Sequence, residues 1–165
     1  MIIQGTSGTG KSHLIGAIKQ RLEIDSLPHK SPLLLLAPTD VVAFNIFAST
    51  IHSSFYIPVR NFTNLQGSCL LTLQHEMKHV KYILIDEMSF IGRNMLMHID
   101  SRLRQAFPHN KEVPFGGISI IFVGDLGQLR PIIERPTYAC EGHAKELWNL
   151  FTNVVTLDTI FKQDG

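Results

Sequence analysis

A glycine-rich segment near the start of the chain, GTSGTGKS at residues 5–12, limits the possible folds most strongly. It consists of a glycine, four free positions and then Gly-Lys-Ser, which is the phosphate-loop pattern. Ile2 and Ile3 predict the end of a strand before it, and an amphipathic run from Lys11 to about Ile24 predicts a helix after it. Glycines let successive backbone amides turn towards a phosphate, and the helix N-terminus adds partial positive charge. The segment therefore predicts a strand, a phosphate-binding turn and a helix.

The whole segment is the predicted nucleotide-binding site, with Gly5, Thr6, Ser7, Gly8, Thr9, Gly10, Lys11 and Ser12 as its members. We expect Lys11 to reach the terminal phosphates of ATP and the Ser12 hydroxyl to hold Mg²⁺. The alternative is a glycine-rich turn that Ser12 caps without any ligand.

Short apolar runs alternate with amphipathic stretches along the rest of the chain. The apolar runs are Leu33 to Ala37, Tyr82 to Ile85, Ile118 to Val123 and Val154 to Leu157. They predict buried strands, because strands covered on both faces lose the polar alternation of an exposed sheet. Leu14, Ile15, Ile18 and Leu22 share one helical face, and so do Leu96, Ile99, Leu103 and Phe107. The alternation predicts one α/β domain, a parallel sheet sandwiched between helices, with loops at 28–32, 108–117 and 127–136.

The composition favours a single globular domain, since 44% of the 165 residues are apolar and 18% are charged. The net charge of +1 gives no sign of a polyanionic partner beyond a local patch. Cys69 and Cys140 lie far apart in no metal-binding spacing, which predicts reduced thiols in an intracellular protein. No apolar run approaches the roughly 20 residues that cross a bilayer, and no targeting leader precedes the first strand, so we expect no membrane partner.

Two of the predicted strands end in polar residues that suit nucleotide hydrolysis. Asp86 and Glu87 follow one strand directly, and we expect Asp86 to hold Mg²⁺ and Glu87 to orient and deprotonate the attacking water. We expect their strand to neighbour the strand of the phosphate loop. Gln128 follows another strand, where its amide would sense the γ-phosphate. The alternatives are a solvated turn for the acids and an ordinary turn for Gln128.

Five segments in order resemble the successive motifs of superfamily-one helicases of the petite-integration-frequency (PIF) and RecD type. These segments are GTSGTGKS, LLLAPTDVVAFNIFASTIHSSF, ILIDEMSFIG, FVGDLGQLRPI and IFKQDG, and they span nearly the whole chain. The TIHS and GDxxQL elements are the specific ones. The resemblance implies a RecA-like ATP-dependent DNA helicase that uses ATP and Mg²⁺. It further implies 5′ to 3′ movement on single-stranded DNA and at duplex junctions, in DNA repair, recombination and telomere maintenance, in the nucleus or mitochondria.

Carried over by position, the catalytic and sensing residues of the family correspond to Lys11, Ser12, Asp86, Glu87 and Gln128. The segments that touch DNA in the family correspond here to Pro38, Thr39, Thr50 and His52. Threonine hydroxyls suit phosphate oxygens, and we expect Phe55 to stack on a base. Alternatively, Thr39 only caps a helix that runs through Phe47, and His52 is a core histidine.

Several positions depart from the family pattern. Asp40 replaces a glycine, Phe47-Ala48 replaces a pair of small glycines, and Arg130 replaces a proline. Lys162 replaces an arginine that contacts the γ-phosphate, which keeps the charge but loses the planar two-pronged donor. The resemblance also implies a second RecA-like domain as partner, so residues 1–165 are expected to be the first half of the motor. Alone, they are expected to bind nucleotide weakly, hydrolyse it slowly and unwind nothing.

Three rival interpretations remain. The segment from His75 to His79 satisfies the HExxH pattern of zinc proteases, although both histidines lie opposite the apolar stripe of the predicted helix. A GTPase would need an acid after Asn110-Lys111-Glu112, where Val113 stands. The third interpretation is a non-catalytic remnant that binds ATP or DNA.

Overall fold

The computed structural model describes residues 1–24, 31–127 and 141–160. It contains one sheet with the strands β1 (Ile2–Gly5), β2 (Leu33–Ala37), β3 (Ser49–Thr50), β4 (Tyr82–Ile85), β5 (Ser119–Gly124) and β6 (Val154–Leu157). All pairings are parallel, and the strand order is β3-β2-β4-β5-β1-β6. The predicted parallel sheet is therefore confirmed. β5 begins and ends one residue later than the apolar run suggested.

Helices cover both faces of this sheet. They are α1 (Lys11–Glu23), α2 (Asp40–Asn45), α3 (Ile51–Ser54), α4 (Gly67–Met77), α5 (Arg93–Ala106) and α6 (His143–Asn149). Successive strand residues point to opposite faces, so Ile83 and Ile85 join one core cluster while Leu84 joins another. The first cluster contains the buried side chains of α3 to α6, and the second contains those of α1. The structure thus has the predicted three layers.

Helix α5 shows how the sequence pattern produces this packing. Leu96, Ile99 and Leu103 lie on one face of the helix and are completely buried against the sheet. The chain then turns at Phe107, before Pro108, because proline lacks the amide that would continue the helix. The predicted loop that follows contains two 3₁₀ turns, Pro108–Asn110 and Pro114–Gly117.

Strand β6 differs from its prediction. The run from Val154 to Leu157 does form a strand, but Val154 is 55% exposed and Val155 is 44% exposed. Among the described strands, β6 pairs with β1 alone and stands last in the strand order, so its side chains are not enclosed as those of the central strands are. The prediction that this strand is buried is therefore wrong.

The described residues include one of the two cysteines. Cys69 is a free, exposed thiol, whereas Cys140 lies outside the described residues. No helix in the described ranges is both long and apolar enough to span a bilayer.

Candidate nucleotide-binding site

The phosphate loop forms a compact turn between β1 and α1. Gly8 and Gly10 have φ angles of 81° and 82°, which side chains other than glycine rarely tolerate. Thr9 is buried, and its hydroxyl donates to the carbonyl of Thr6 at 2.8 Å. A Cβ atom on Gly5 would lie only 2.5 Å from the hydroxyl oxygen of Thr9, so this position requires glycine. No side chain caps α1, which leaves its first backbone amides for a ligand.

The side chain of Lys11 lies against this loop. Its ammonium group donates to the carbonyl oxygens of Gly5 at 2.8 Å and Thr6 at 2.9 Å. Ser12 is exposed in the first turn of α1, directly beside Lys11 along the chain. A cation and a hydroxyl therefore stand at the point where the helix N-terminus opens to solvent.

The two acids follow β4 in a strained turn. Asp86 is 6% exposed, and its amide continues the sheet by donating to the carbonyl of Leu36 at 3.0 Å. Glu87 has a φ of 52°, in the left-handed region that is uncommon for residues other than glycine. Its amide donates to the Asp86 carboxylate at 2.9 Å. One carboxylate oxygen of Glu87, Oε2, is buried and has no hydrogen-bond partner.

Strand β5 separates the acids from the phosphate-loop strand. β5 pairs with β4 on one side and β1 on the other, so the expectation that the acid-bearing strand neighbours the phosphate-loop strand is wrong. Because all three strands are parallel, their carboxyl ends still meet at one edge of the sheet. Gly124, with a φ of 150°, allows β5 to approach the acid turn, since a Cβ atom there would lie 2.9 Å from the Met88 amide nitrogen.

Burial and mutual repulsion shape the electrostatics of these acids. Burial raises the pKa of Asp86, while the Glu87 amide and the positive charge of Lys11 oppose the rise. Burial also raises the pKa of Glu87, and the negative charges of Asp86 and Asp125 add to it against Lys11. Lys11 influences both carboxyl groups, so the structure brings the phosphate loop and the acids into one site.

The donor set at this site fits a magnesium ion. Mg²⁺ prefers oxygen ligands, and it commonly takes one or two carboxylates together with waters and phosphate oxygens. Ser12 offers an exposed hydroxyl, and Asp86 offers a buried carboxylate. The Oε2 atom of Glu87 has no hydrogen-bond donor, and an attacking water molecule could donate to it. The residues therefore suit the metal and water that the sequence implied.

Two residues at this site received no role from the sequence. Asp125 is 9% exposed directly after β5, where it accepts a bond from the Gly127 amide at 2.8 Å. Ser89 is 7% exposed, and its hydroxyl has no hydrogen-bond partner. The position of Asp125 after an apolar strand could have identified it from the sequence as a site residue. No sequence pattern marks Ser89, because its burial depends on the turn that Glu87 makes.

The residues predicted to touch DNA lie at the same edge, beyond β2. Thr39 caps α2 by accepting from the Val42 amide at 3.4 Å, and Thr50 caps α3 by accepting from the Ser53 amide at 3.3 Å. Ala37 pairs with Thr50, which places the segment of Pro38 and Thr39 beside Thr50. The capping alternative for Thr39 is thus observed, although its helix ends at Asn45 and not at Phe47.

His52 and Phe55 have different environments. His52 is partly exposed, so it is not a core histidine. Phe55 is completely buried in the first core cluster, and its ring offers no face to a base. The prediction that Phe55 stacks on DNA is therefore wrong. Gln128, Arg130 and Lys162 lie outside the described residues.

The HExxH segment does not form a continuous helical site. His75 is exposed on α4, but the helix ends at Met77, before His79. Leu73, Met77 and Val80 supply the buried stripe, as the sequence predicted. Among the residues with described positions, no group of three or more histidine, cysteine, aspartate or glutamate side chains could hold a metal ion.

A parallel sheet with a phosphate loop after its first described strand and paired acids at the same edge defines a phosphate-loop NTPase domain of the RecA type. The sequence model of the PIF1-like helicases matches residues 1–165. The chain therefore belongs to the PIF1-like helicase family.

Individual relatives show how far the similarity extends. The ATP-dependent DNA helicase PIF4 of Trypanosoma brucei is 32% identical over 143 residues, covering 83% of this chain and 17% of that protein. The helicase RRM3 of Saccharomyces cerevisiae is 28% identical over 166 residues, covering 96% of this chain and 22% of that protein. The structure of Bacteroides Pif1 in complex with ADP-AlF3 and single-stranded DNA aligns over 99% of this chain and 39% of its own, with a TM-score of 0.71 and 24% identity. The chain thus spans about a fifth of the two curated relatives.

Proposed function

We propose that this chain is the first RecA-like domain of an ATP-dependent DNA helicase. The observation that carries the proposal is that the phosphate loop after β1 and the acids after β4 lie at one edge of a parallel sheet, where the charge of Lys11 acts on both carboxyl groups. The similarity to curated ATP-dependent DNA helicases supports it. Family resemblance extends the proposal to 5′ to 3′ translocation and to DNA repair, recombination and telomere maintenance, in the nucleus or mitochondria.

The phosphate loop binds the triphosphate in this proposal. Its backbone amides and the α1 N-terminus contact phosphate oxygens, and Lys11 exchanges its bonds with Gly5 and Thr6 for bonds with the terminal phosphates. Ser12 and Asp86 would hold Mg²⁺, which would supply positive charge to neutralise the phosphates.

Glu87 acts as the base. A water molecule that donates to its unpartnered Oε2 is oriented for attack on the γ-phosphate. The raised pKa of Glu87 makes its carboxylate a stronger proton acceptor than a solvated glutamate. Gln128, which follows β5 in the sequence, senses the γ-phosphate.

DNA crosses the same edge near Pro38, Thr39, Thr50 and His52. A second RecA-like domain closes over the nucleotide and reopens after hydrolysis, which moves the strand. Without that domain, residues 1–165 bind nucleotide weakly and hydrolyse it slowly. The structurally similar Bacteroides Pif1 is known in complex with ADP-AlF3 and single-stranded DNA, which supports the binding of both a nucleotide and single-stranded DNA.

The test is ATP turnover, with and without single-stranded DNA, by the chain joined to its second RecA-like domain. Lys11→Ala is expected to lose nucleotide binding, and Glu87→Gln to keep binding but lose turnover. His75→Ala changes an exposed histidine on α4 and serves as the control with full turnover. Full DNA-stimulated turnover by either site variant would refute the proposal, and nucleotide binding without any turnover would favour the non-catalytic remnant.

A further inference from the structure

The end of α2 has an unusual residue at a left-handed position. The amide of Phe47 donates to the carbonyl of Phe44 at 3.3 Å, and the amide of Ala48 donates to that of Ala43 at 2.8 Å. These two bonds form a Schellman motif, in which the left-handed residue is usually glycine. Phe47 occupies that position with a φ of 52°. A phenylalanine there is strained, because its Cβ crowds the backbone.

Packing inside the chain does not offset this strain. The Phe47 side chain is 87% exposed, and Phe44, three residues before it, is 80% exposed. The inward side of the segment consists of Ala43, which is buried, and of Ile46 and Ala48, which pack on the cluster beneath α1. Two aromatic rings therefore face solvent at a place where a strained backbone holds one of them. Strain of this kind typically persists at sites that contact a ligand.

The position of these rings suits a strand of nucleic acid. α2 leaves the carboxyl end of β2, at the sheet edge that also carries the phosphate loop. The capping bonds of Thr39 and Thr50 use oxygen lone pairs, so both hydroxyl protons remain available for phosphate oxygens. Thr39 and Phe47 flank this six-residue helix, so they lie roughly 12 Å apart along its axis.

The charge of the segment around α2 indicates which part of a DNA strand the rings contact. Residues 31–59 contain no lysine or arginine, and Asp40 is their one acid. This segment therefore has no lysine or arginine of its own to attract phosphates. Stacking on bases needs no charge, because every base has an aromatic face.

We propose that Phe47, with Phe44 beside it, is a stacking platform for unpaired bases of single-stranded DNA. The proposal rests on the proposed function, and it assigns base contact to exposed rings on α2 in place of the buried Phe55. The threonine hydroxyls hold the phosphates, and the rings hold the bases.

The test measures oligothymidine binding by fluorescence anisotropy at several salt concentrations, in the chain joined to its second domain. Phe47→Leu and Phe47→Gly are expected to weaken binding about 5- to 150-fold, since each removes a stacking ring. The slope of log affinity against log salt stays unchanged, because no phosphate contact is lost. Phe47→Trp keeps the affinity, and the oligonucleotide quenches its fluorescence.

Thermal unfolding separates this role from a structural one. Phe47→Gly relieves the left-handed strain, so we expect Tm to rise by about 2–4 °C while DNA affinity falls. Leu71→Ala removes a side chain that is 66% exposed on α4, in the opposite layer, and serves as the control with unchanged binding.

Two results would overturn the platform. If the unsubstituted protein binds DNA and hydrolyses ATP but Phe47→Leu binds DNA equally well, the platform fails and the proposed function stands. If the unsubstituted protein does not bind DNA, both proposals fail.

Discussion

Glu87 combines features that each lower the stability of the folded chain. Its φ is positive, its Oε2 atom is buried without a partner, and its carboxylate lies near Asp86 and Asp125. Residues with such strain concentrate at functional sites, where the surrounding structure maintains them. Here the strain orients an acid that a solvated turn would leave free to rotate.

We expect Glu87→Gln to have opposite effects on stability and activity. Burial and the neighbouring acids raise the folded-state pKa of Glu87 above its unfolded value, so the folded state disfavours the carboxylate. This destabilisation by the Glu87 carboxylate is complete at pH values above its folded-state pKa. It disappears at pH values below its unfolded-state pKa. Glu87→Gln therefore increases the free energy of unfolding at about pH 7, and the increase vanishes near pH 4 or below. Turnover falls roughly 10²- to 10⁴-fold.

Urea denaturation at several pH values measures the stability effect. Glu112→Gln is the matched control, because the Glu112 side chain is 88% exposed and its ion pair with Lys111 has a length of 4.0 Å. We expect this control to leave stability unchanged. A gain for Glu87→Gln that does not depend on pH would contradict the explanation.

At the scale of elements, glycines set how closely strands and turns approach. Gly124 lets β5 contact the turn of the acids, where an added Cβ would lie 2.9 Å from the Met88 amide nitrogen and 3.4 Å from Glu87 Cα. Gly16 is different, because an added Cβ in the middle of α1 would meet no atom within 4 Å. The two positions give a matched pair of substitutions.

We expect Gly124→Ala to destabilise the chain by about 1–3 kcal/mol, through overpacking and an unfavourable φ. Gly16→Ala should stabilise it by about 0.5–1 kcal/mol, because alanine favours the helix. Gly124→Ala should also weaken ATP binding, since the acid turn must shift. Denaturation curves and nucleotide titrations measure both effects. Equal stability of the two variants would show that β5 and the acid turn are not closely packed.

At the scale of the whole molecule, one buried arginine joins segments that are distant in the sequence. Arg102 on α5 is 1% exposed, and it donates to the carbonyls of Phe55 at 2.9 Å, Tyr56 at 3.2 Å and Thr63 at 2.9 Å. Its guanidinium carbon also lies 4.2 Å from the centre of the Phe62 ring. The segment from 55 to 63 follows α3, and α5 follows the acid turn. Arg102 therefore fixes the segment that follows the proposed DNA-contacting helix against α5.

Arg102→Met is expected to destabilise the chain by about 3–5 kcal/mol, because it leaves buried carbonyls without donors. Arg102→Lys should recover only part of the loss, since lysine lacks the planar fork. Arg93→Met is the control, because Arg93 is exposed at the start of the same helix. Guanidinium denaturation compares the variants. If Arg102→Met were no less stable than Arg93→Met, the guanidinium would not hold the segment in place.

The sequence alone predicted the features that depend on local pattern. The phosphate loop, the strands Leu33–Ala37 and Tyr82–Ile85, and the buried stripe of α5 follow from residue spacing and from glycine. Placement of the acids after a strand also follows from the sequence. The sequence does not show that another strand separates these acids from the phosphate-loop strand, because strand order depends on contacts between distant segments.

Only the tertiary structure decided which side chains are buried and which face solvent. Phe55 and Phe47 are both aromatic residues beside threonine-containing turns, yet one is completely buried and the other is 87% exposed. Val154 and Val155 form a strand as predicted, but their place at the sheet edge leaves them exposed. Local spacing determines backbone conformation, whereas burial is set by the elements that the whole fold packs around each side chain.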